Sequence, residues 1–204
     1  MSKVSIGSIT CTRCGENIPV HTYEYINSIE DSRLAELLVG RGLFTRVCPK
    51  CGETYETVYP TMYHLAEKNK MIMFAPDDEC SKEYEESSQV FVQMGVDRRI
   101  VRSISDLIEK VNIFNADLRD TCVEVVKIML FSRFYQEGKD VRHIYFDRVD
   151  GEDAIFDVDT LDGWLAVPVS IETIRGLAGD IPQEIDNLTV DVRTMGEYLK
   201  GIGG

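Results

Sequence analysis

Four cysteines stand in two short pieces of the chain, "CTRCG" at Cys11–Gly15 and "CPKCG" at Cys48–Gly52. Thiolates are good ligands for a soft or borderline metal ion, and a spacing of two residues brings both side chains of a pair to one side of a tight turn. Gly15 and Gly52, each directly after the second cysteine, suit the left-handed backbone such a turn needs. Two turns of this kind present four sulfurs to one ion. The spacing therefore predicts a metal site made of Cys11, Cys14, Cys48 and Cys51, with zinc as its ion. Iron is the alternative, because the same ligand pattern holds a single iron through four thiolates and geometry alone does not separate the two. A thioredoxin-type redox pair fits poorly: it uses one C-x-x-C that opens a helix, and here two pairs each precede a strand pattern. Zinc with four cysteine ligands has no open coordination position, so its expected role is to support folding rather than to activate water.

Other candidates for chemistry are weaker. His21, His64 and His143 lack ligand spacing and read as strand residues. Cys80 lies among carboxylates that raise a thiol's pKa, and Cys122 falls in a helix next to Val123 and reads as packed, so neither reads as a nucleophile. "DVDTLDG" (Asp157–Gly163) departs from a calcium loop: its third acid comes one residue late, and Pro168 stands where the closing glutamate belongs. No G-x-S-x-G elbow and no glycine-rich phosphate loop is present. The C-terminal "GIGG" resembles a modifier tail in composition only.

The elements that must position the cysteines can be read from periodicity. His21–Asn27 alternates as a strand. Asp31 or Ser32 caps a helix with Leu34, Leu37 and Leu38 on its apolar side, ended by Gly40 and Gly42. Leu43–Val47 leads as a strand into the second pair. "MYHLA" and "MIMFA" form a hairpin that turns at Lys68–Lys70. "DDECSKEYEESS" reads as an exposed acidic boundary. A strand at "RRIVRS" follows, then a helix capped by Ser103 or Ser105 and a longer one opened by Asp120 and closed by Gly138. A meander of three strands turns at Asp150-Gly151 and Asp162-Gly163. Ser170 caps a short helix, and "TMGEYLKG" ends the chain as another.

The cysteine pairs, the run "YINSIEDSRLAELLVGRGLFTRVCPKCG" and "MYHL…MIMFAP" together resemble the CpXC domain, over about residues 8–76. "RRIVRSISDLIEKVNIFNADLRDTCVEVVK" is similar to the helical region that follows in such proteins. The family is named for a Cys-Pro-x-Cys motif; here Thr12 stands where the first motif has proline. Proline is no ligand, so the resemblance still implies a zinc site. It implies no activity.

The expected fold is α+β: a zinc-ribbon-like domain over residues 1–76 elaborated by a helix and a hairpin, an acidic boundary over 77–98, and a C-terminal α+β domain over 99–204 with two helices beside a small antiparallel sheet. The 204 residues carry a net charge of -13. Residues 140–204 hold 5 basic and 14 acidic groups, net -9, against net -1 over residues 1–69. Such a field repels phosphate backbones and favours a basic protein partner. No run approaches the ~18 apolar residues of a spanning helix, so no membrane contact is expected, and free thiols point to the cytosol. The leading reading is a non-enzymatic interaction or adaptor protein. An enzyme or enzyme subunit with a site between the two domains is the second. A nucleic-acid-binding ribbon using Arg13, Arg33, Arg41, Arg46 and Lys50 is the third.

Overall fold

A computed structural model of the chain describes residues 3–181 and 188–202. It divides into two compact units, residues 1–108 and 109–204. The glycine pair that ends "GIGG" lies outside the described residues.

The first unit is built on a five-stranded sheet in the order β1-β2-β5-β6-β7. Strands β1 (Lys3–Thr10) and β2 (Asn17–Asn27) are antiparallel. Only Tyr25, Ile26 and Asn27 of β2 also pair with β5 (Thr61–Leu65), in parallel. The earlier part of the hairpin therefore runs on as a two-stranded ribbon. Between β2 and β5 lie α1 (Ser32–Val39) and a second small hairpin, β3 (Thr45–Val47) with β4 (Thr54–Glu56). Gly40 caps α1 with φ at -78°, and the left-handed conformation expected there falls instead on Arg41, φ 61°. The chain enters a short 3₁₀ turn at Ala66–Lys68, and Asn69 then takes the left-handed conformation (φ 53°) that closes the predicted β5–β6 hairpin.

Strand β6 (Lys70–Phe74) is an apolar run buried at Met71, Ile72, Met73 and Phe74, as a strand flanked on both sides should be. Phe74 meets Phe44 edge to face at 5.8 Å, and Phe44 meets Tyr59 at 5.2 Å. Phe44, Tyr59 and Phe74 are buried, as are Leu38 and Ile26. The acidic stretch after β6 is helical rather than irregular: α2 (Asp78–Ser87) and α3 (Gln89–Gln93) carry the chain to β7 (Asp97–Val101). Asp77 caps α2 by accepting from the Cys80 amide at 2.8 Å. β7 pairs in parallel with β6, so this strand belongs to the first sheet and the division between units falls further along, inside α4 (Ile104–Asn115).

The second unit has α5 (Asp120–Gln136), the antiparallel meander β8 (Val141–Asp150), β9 (Asp153–Thr160) and β10 (Gly163–Ser170), then α6 (Ile171–Gly176) and α7 (Val192–Ile202). The turn glycines Gly151 and Gly163 both have positive φ, which suits the two Asp-Gly turns. Ile144, Phe146, Phe156 and Val158 fill one face of the meander. The fold is thus mixed α+β with a small antiparallel sheet in its C-terminal part. Among the described residues, no helix is long and apolar enough to cross a membrane.

Candidate metal centre

Each cysteine pair sits at the tip of a hairpin. The β1–β2 ladder ends at Thr10 opposite Asn17, and the β3–β4 ladder ends at Val47 opposite Thr54, the same register relative to the sulfurs. The turns repeat one another bond for bond. The Cys11 amide donates to the Glu16 carbonyl at 2.7 Å and the Gly15 amide to the Cys11 carbonyl at 2.9 Å. In the second turn, the Cys48 amide donates to the Glu53 carbonyl at 2.8 Å and the Gly52 amide to the Cys48 carbonyl at 3.0 Å. Gly15 and Gly52 both have φ of 72°, a conformation a β-carbon would strain. "CTRCGENI" and "CPKCGETY" are two copies of one structural unit.

The two copies face each other through their sulfurs. Cys11 Sγ lies 3.5 Å from Cys51 Sγ, Cys14 Sγ lies 3.6 Å from Cys48 Sγ, and all four fall within 4.8 Å of one another. An ion about 2.3 Å from each of four tetrahedral sulfurs needs them roughly 3.8 Å apart. Two separations lie slightly below that value and the rest stay within 4.8 Å, so this cluster fits a tetrahedral metal ion. Reciprocal ion pairs tie the turns together: Arg13 with Glu53 at 3.2 Å, and Lys50 with Glu16 at 3.6 Å. Cys11 and Cys48 are buried with Ile18 in a small core, against which Ile9, Cys14, Cys51 and Tyr55 pack.

One residue breaks the symmetry. Tyr55 stands where the first copy has Ile18. Its hydroxyl donates to Cys11 Sγ at 3.0 Å and accepts from the Thr12 amide at 2.9 Å. The Tyr55 hydroxyl, with the backbone of its own turn, lowers the Cys11 thiol to about 6 against the opposing effect of burial. For Cys14, the Glu16 backbone favours the thiolate, yet burial and three neighbouring sulfurs outweigh it and push the thiol up to about 12. For Cys51 the Glu53 backbone, with Cys14, favours the thiolate, and burial with the Cys11 and Cys48 sulfurs outweighs them and raises the thiol. Left to themselves, Cys14 and Cys51 hold on to their protons. A cation at their centre would let all four ionise, which is how such a cluster couples metal uptake to proton release.

The remaining candidates are scattered. Cys80 donates to Asp77 at 3.5 Å, and burial followed by that carboxylate raises its thiol. Cys122 is buried and raised by burial. His64 Nδ1 meets the Tyr25 hydroxyl at 3.0 Å, His21 lends its carbonyl to Arg46 at 2.8 Å, and His143 stacks on Tyr145.

A second polar cluster went unread in the sequence. Glu109, Lys110, Asp120, Glu124 and Lys127, on α4 and α5, are each at least 94 % buried, Lys127 being the most exposed at 6 %. Lys110 Nζ reaches Glu124 at 2.9 Å and Asp120 at 3.5 Å; Lys127 Nζ reaches both Glu109 and Glu124 at 3.0 Å. Glu109 also accepts the Phe146 amide at 2.7 Å, and Asn112 donates to the Asp147 carbonyl at 2.9 Å, so α4 satisfies backbone groups of β8. Burial pushes the Glu109 carboxyl up to about 7, with Lys127 opposing and Glu124 reinforcing. Burial alone would lower both lysines, but the surrounding carboxylates hold them above their usual range. The only local hint was the i,i+3 spacing of Glu124 and Lys127, which reads as an ordinary surface pair.

The sequence profile of a family described as "CpXC protein" matches residues 9–127, which takes in both cysteine turns and the buried charge cluster. No curated protein and no solved structure matches the chain.

Proposed function

The chain belongs to the CpXC protein family, and we propose that it is a zinc-binding, non-enzymatic interaction protein. In this reading Cys11, Cys14, Cys48 and Cys51 hold one zinc ion, which joins the two hairpins into a rigid ribbon, and the acidic C-terminal part meets a basic protein partner. The observation that carries it is the placement of four sulfurs on two matching hairpin tips. Every ligand position of a tetrahedral ion is then filled by protein, which leaves none for substrate or water. The zinc contributes cross-linking of the ribbon and nothing further.

Two observations favour a protein partner over nucleic acid. Four of the five ribbon cations are engaged by neighbours: Arg13 and Lys50 by glutamates, Arg41 by the Ser105 hydroxyl at 2.8 Å, and Arg46 by the carbonyls of Thr45 and His21 at 2.8 Å each. The net -9 of residues 140–204 adds a field that repels phosphates. The reading assigns the chain to the cytosol, where its six free cysteines stay reduced.

Elemental analysis of the purified full chain tests the metal, with about one zinc per chain as the expected result. A red preparation with stoichiometric iron would replace this reading with electron transfer.

A further inference from the structure

The outward face of the three-stranded sheet departs from a solvated one. Side chains alternate along a strand, and directly paired residues share a side. Ala154, Phe156 and Val158 of β9 are buried, so Asp157 and Asp159 belong to the opposite face. The register sets Trp164 and His143 beside Asp159, and Ala166 and Tyr145 beside Asp157. Trp164 is the single tryptophan of the chain, and it is 61 % exposed. The His143 and Tyr145 rings stack at 5.8 Å with 20° between their planes. Tyr145 is half-buried, with Lys127 Nζ 5.9 Å from its ring centre, so the open aromatic surface is that of Trp164 and His143; an exposed indole of this kind is typical of the anchor positions of protein interfaces.

The two carboxylates of this face differ. Asp159 is buried and held by Arg142 at 2.8 Å. Asp157 is half-buried, and its carboxylate has no hydrogen bond or ion pair among the described residues. Burial, then the nearby Asp147, pushes its carboxyl up, with Arg148 opposing. A carboxylate in this setting gains from an incoming cation by direct charge-assisted hydrogen bonds, and the exposed Trp164 ring nearby attracts cations as well.

We propose that this face docks an arginine- or lysine-bearing segment of a protein partner, its cation seated on Asp157 and its apolar neighbours covering Trp164 and Tyr145. The inference rests on the basic-partner reading above and gives it an address. Charge complementarity selects the occupant. Stacked bases would also suit the rings, but their phosphates would meet Asp157 inside a region of net -9. A second copy would bring the same acidic face.

The test uses the zinc-loaded full chain and, as probe, a synthetic peptide alternating arginine and valine, with a glutamate-valine peptide as control. Trp164 emission reads the face locally, and calorimetry reads binding anywhere. The arginine peptide should shift the emission to shorter wavelength and release or absorb heat; the glutamate peptide should do neither. Asp157→Asn should weaken binding about tenfold, as should Trp164→Ala followed by heat alone, since each removes roughly one good contact. Heat with silent Trp164 emission, or undiminished affinity in both variants, would overturn the docking face and leave the basic-partner reading standing. No heat at low salt would overturn both. A stronger Trp164 response to a single-stranded oligonucleotide would overturn the proposal in favour of nucleic acid. An emission shift that follows chain concentration without peptide would overturn it in favour of self-association.

Discussion

Around Cys11 and Cys48 two cations of the chain, Arg13 and Lys50, are paired to Glu53 and Glu16, and the sulfurs are met by one another, by the backbone of their own turns and by the Tyr55 hydroxyl. Around Glu109 and Glu124 the chain supplies Lys110 and Lys127 from its own helices. The first unit thus concentrates latent negative charge and leaves the balancing cation to solution. The second balances three carboxylates with two ammonium groups and keeps the proton of Glu109 to neutral pH. Burial of ionisable groups is tolerable by either route, but the routes answer to different variables: metal activity for one, pH and side-chain identity for the other.

The comparison breaks most visibly at the metal. Cys48→Ser, or removal of zinc, should abolish structure in both hairpins, since structural zinc contributes apparent folding energies of about 10–16 kcal/mol in small modules. Amide exchange should show β1–β4 unprotected while α5 and β8–β10 stay protected; loss of protection in both units at once would show that the metal governs the whole chain. Next comes Lys127→Met, which strands Glu109 and Glu124 and should destabilise the chain by about 3–5 kcal/mol in denaturant titration without releasing zinc. Adding Glu109→Gln to that variant should restore part of the loss.

Protons act on a smaller scale. The folded-state carboxyl of Glu109, near 7, lies above its unfolded value of about 4.3. The folded chain therefore keeps a proton that the unfolded chain has released. The contribution is full below about 4.3 and is lost as pH rises through about 7, by at most about 4 kcal/mol. The difference in unfolding free energy between the natural chain and Glu109→Gln, followed across that window, isolates it; a flat difference would mean that Glu109 is already ionised. The smallest change is Tyr55→Phe, which leaves all four sulfurs in place but removes the hydroxyl from Cys11. Zinc affinity measured against a competing chelator should fall about 10–100-fold. An unchanged affinity would make Tyr55 a packing residue like Ile18, its counterpart in the other turn.

What the sequence discloses follows from how local each feature is. The cysteine turns are legible because two intervening residues and a following glycine are the whole of the local requirement. The β5–β6 hairpin and the Asp-Gly turns of the meander are legible for the same reason. The cross-pairing of Arg13 with Glu53 and Lys50 with Glu16 is not, because it exists only once two distant hairpins face each other. Strand β1 hides for want of a pattern: seven of its eight residues are exposed, so no periodic apolar side announces it. "DDECSKEYEESS" offers the Asp77 cap and acids suited to a helix start, yet its mean polarity resembles a linker. The charge cluster is the hardest case, because Glu109, Lys110, Glu124 and Lys127 have the spacing of solvated helix surface, and only packing of α4 and α5 takes them out of water.

The bonds from Glu109 and Asn112 to β8 also bear on how copies of the chain could polymerise. The Phe146 amide and Asp147 carbonyl are groups through which a further strand would add to the sheet, and both are already occupied. On the other margin β10 contains Pro168, which has no amide hydrogen to offer. Cross-β growth templated on the meander is obstructed at both ends. The margin at β1 has no such guard: eight residues without a proline or an acid, Ile6 76 % exposed, and the candidate metal turn at its end. Fibrils nucleated by demetallated protein should therefore propagate from Lys3–Thr10, and a single Ile6→Lys gatekeeper should suffice to slow them.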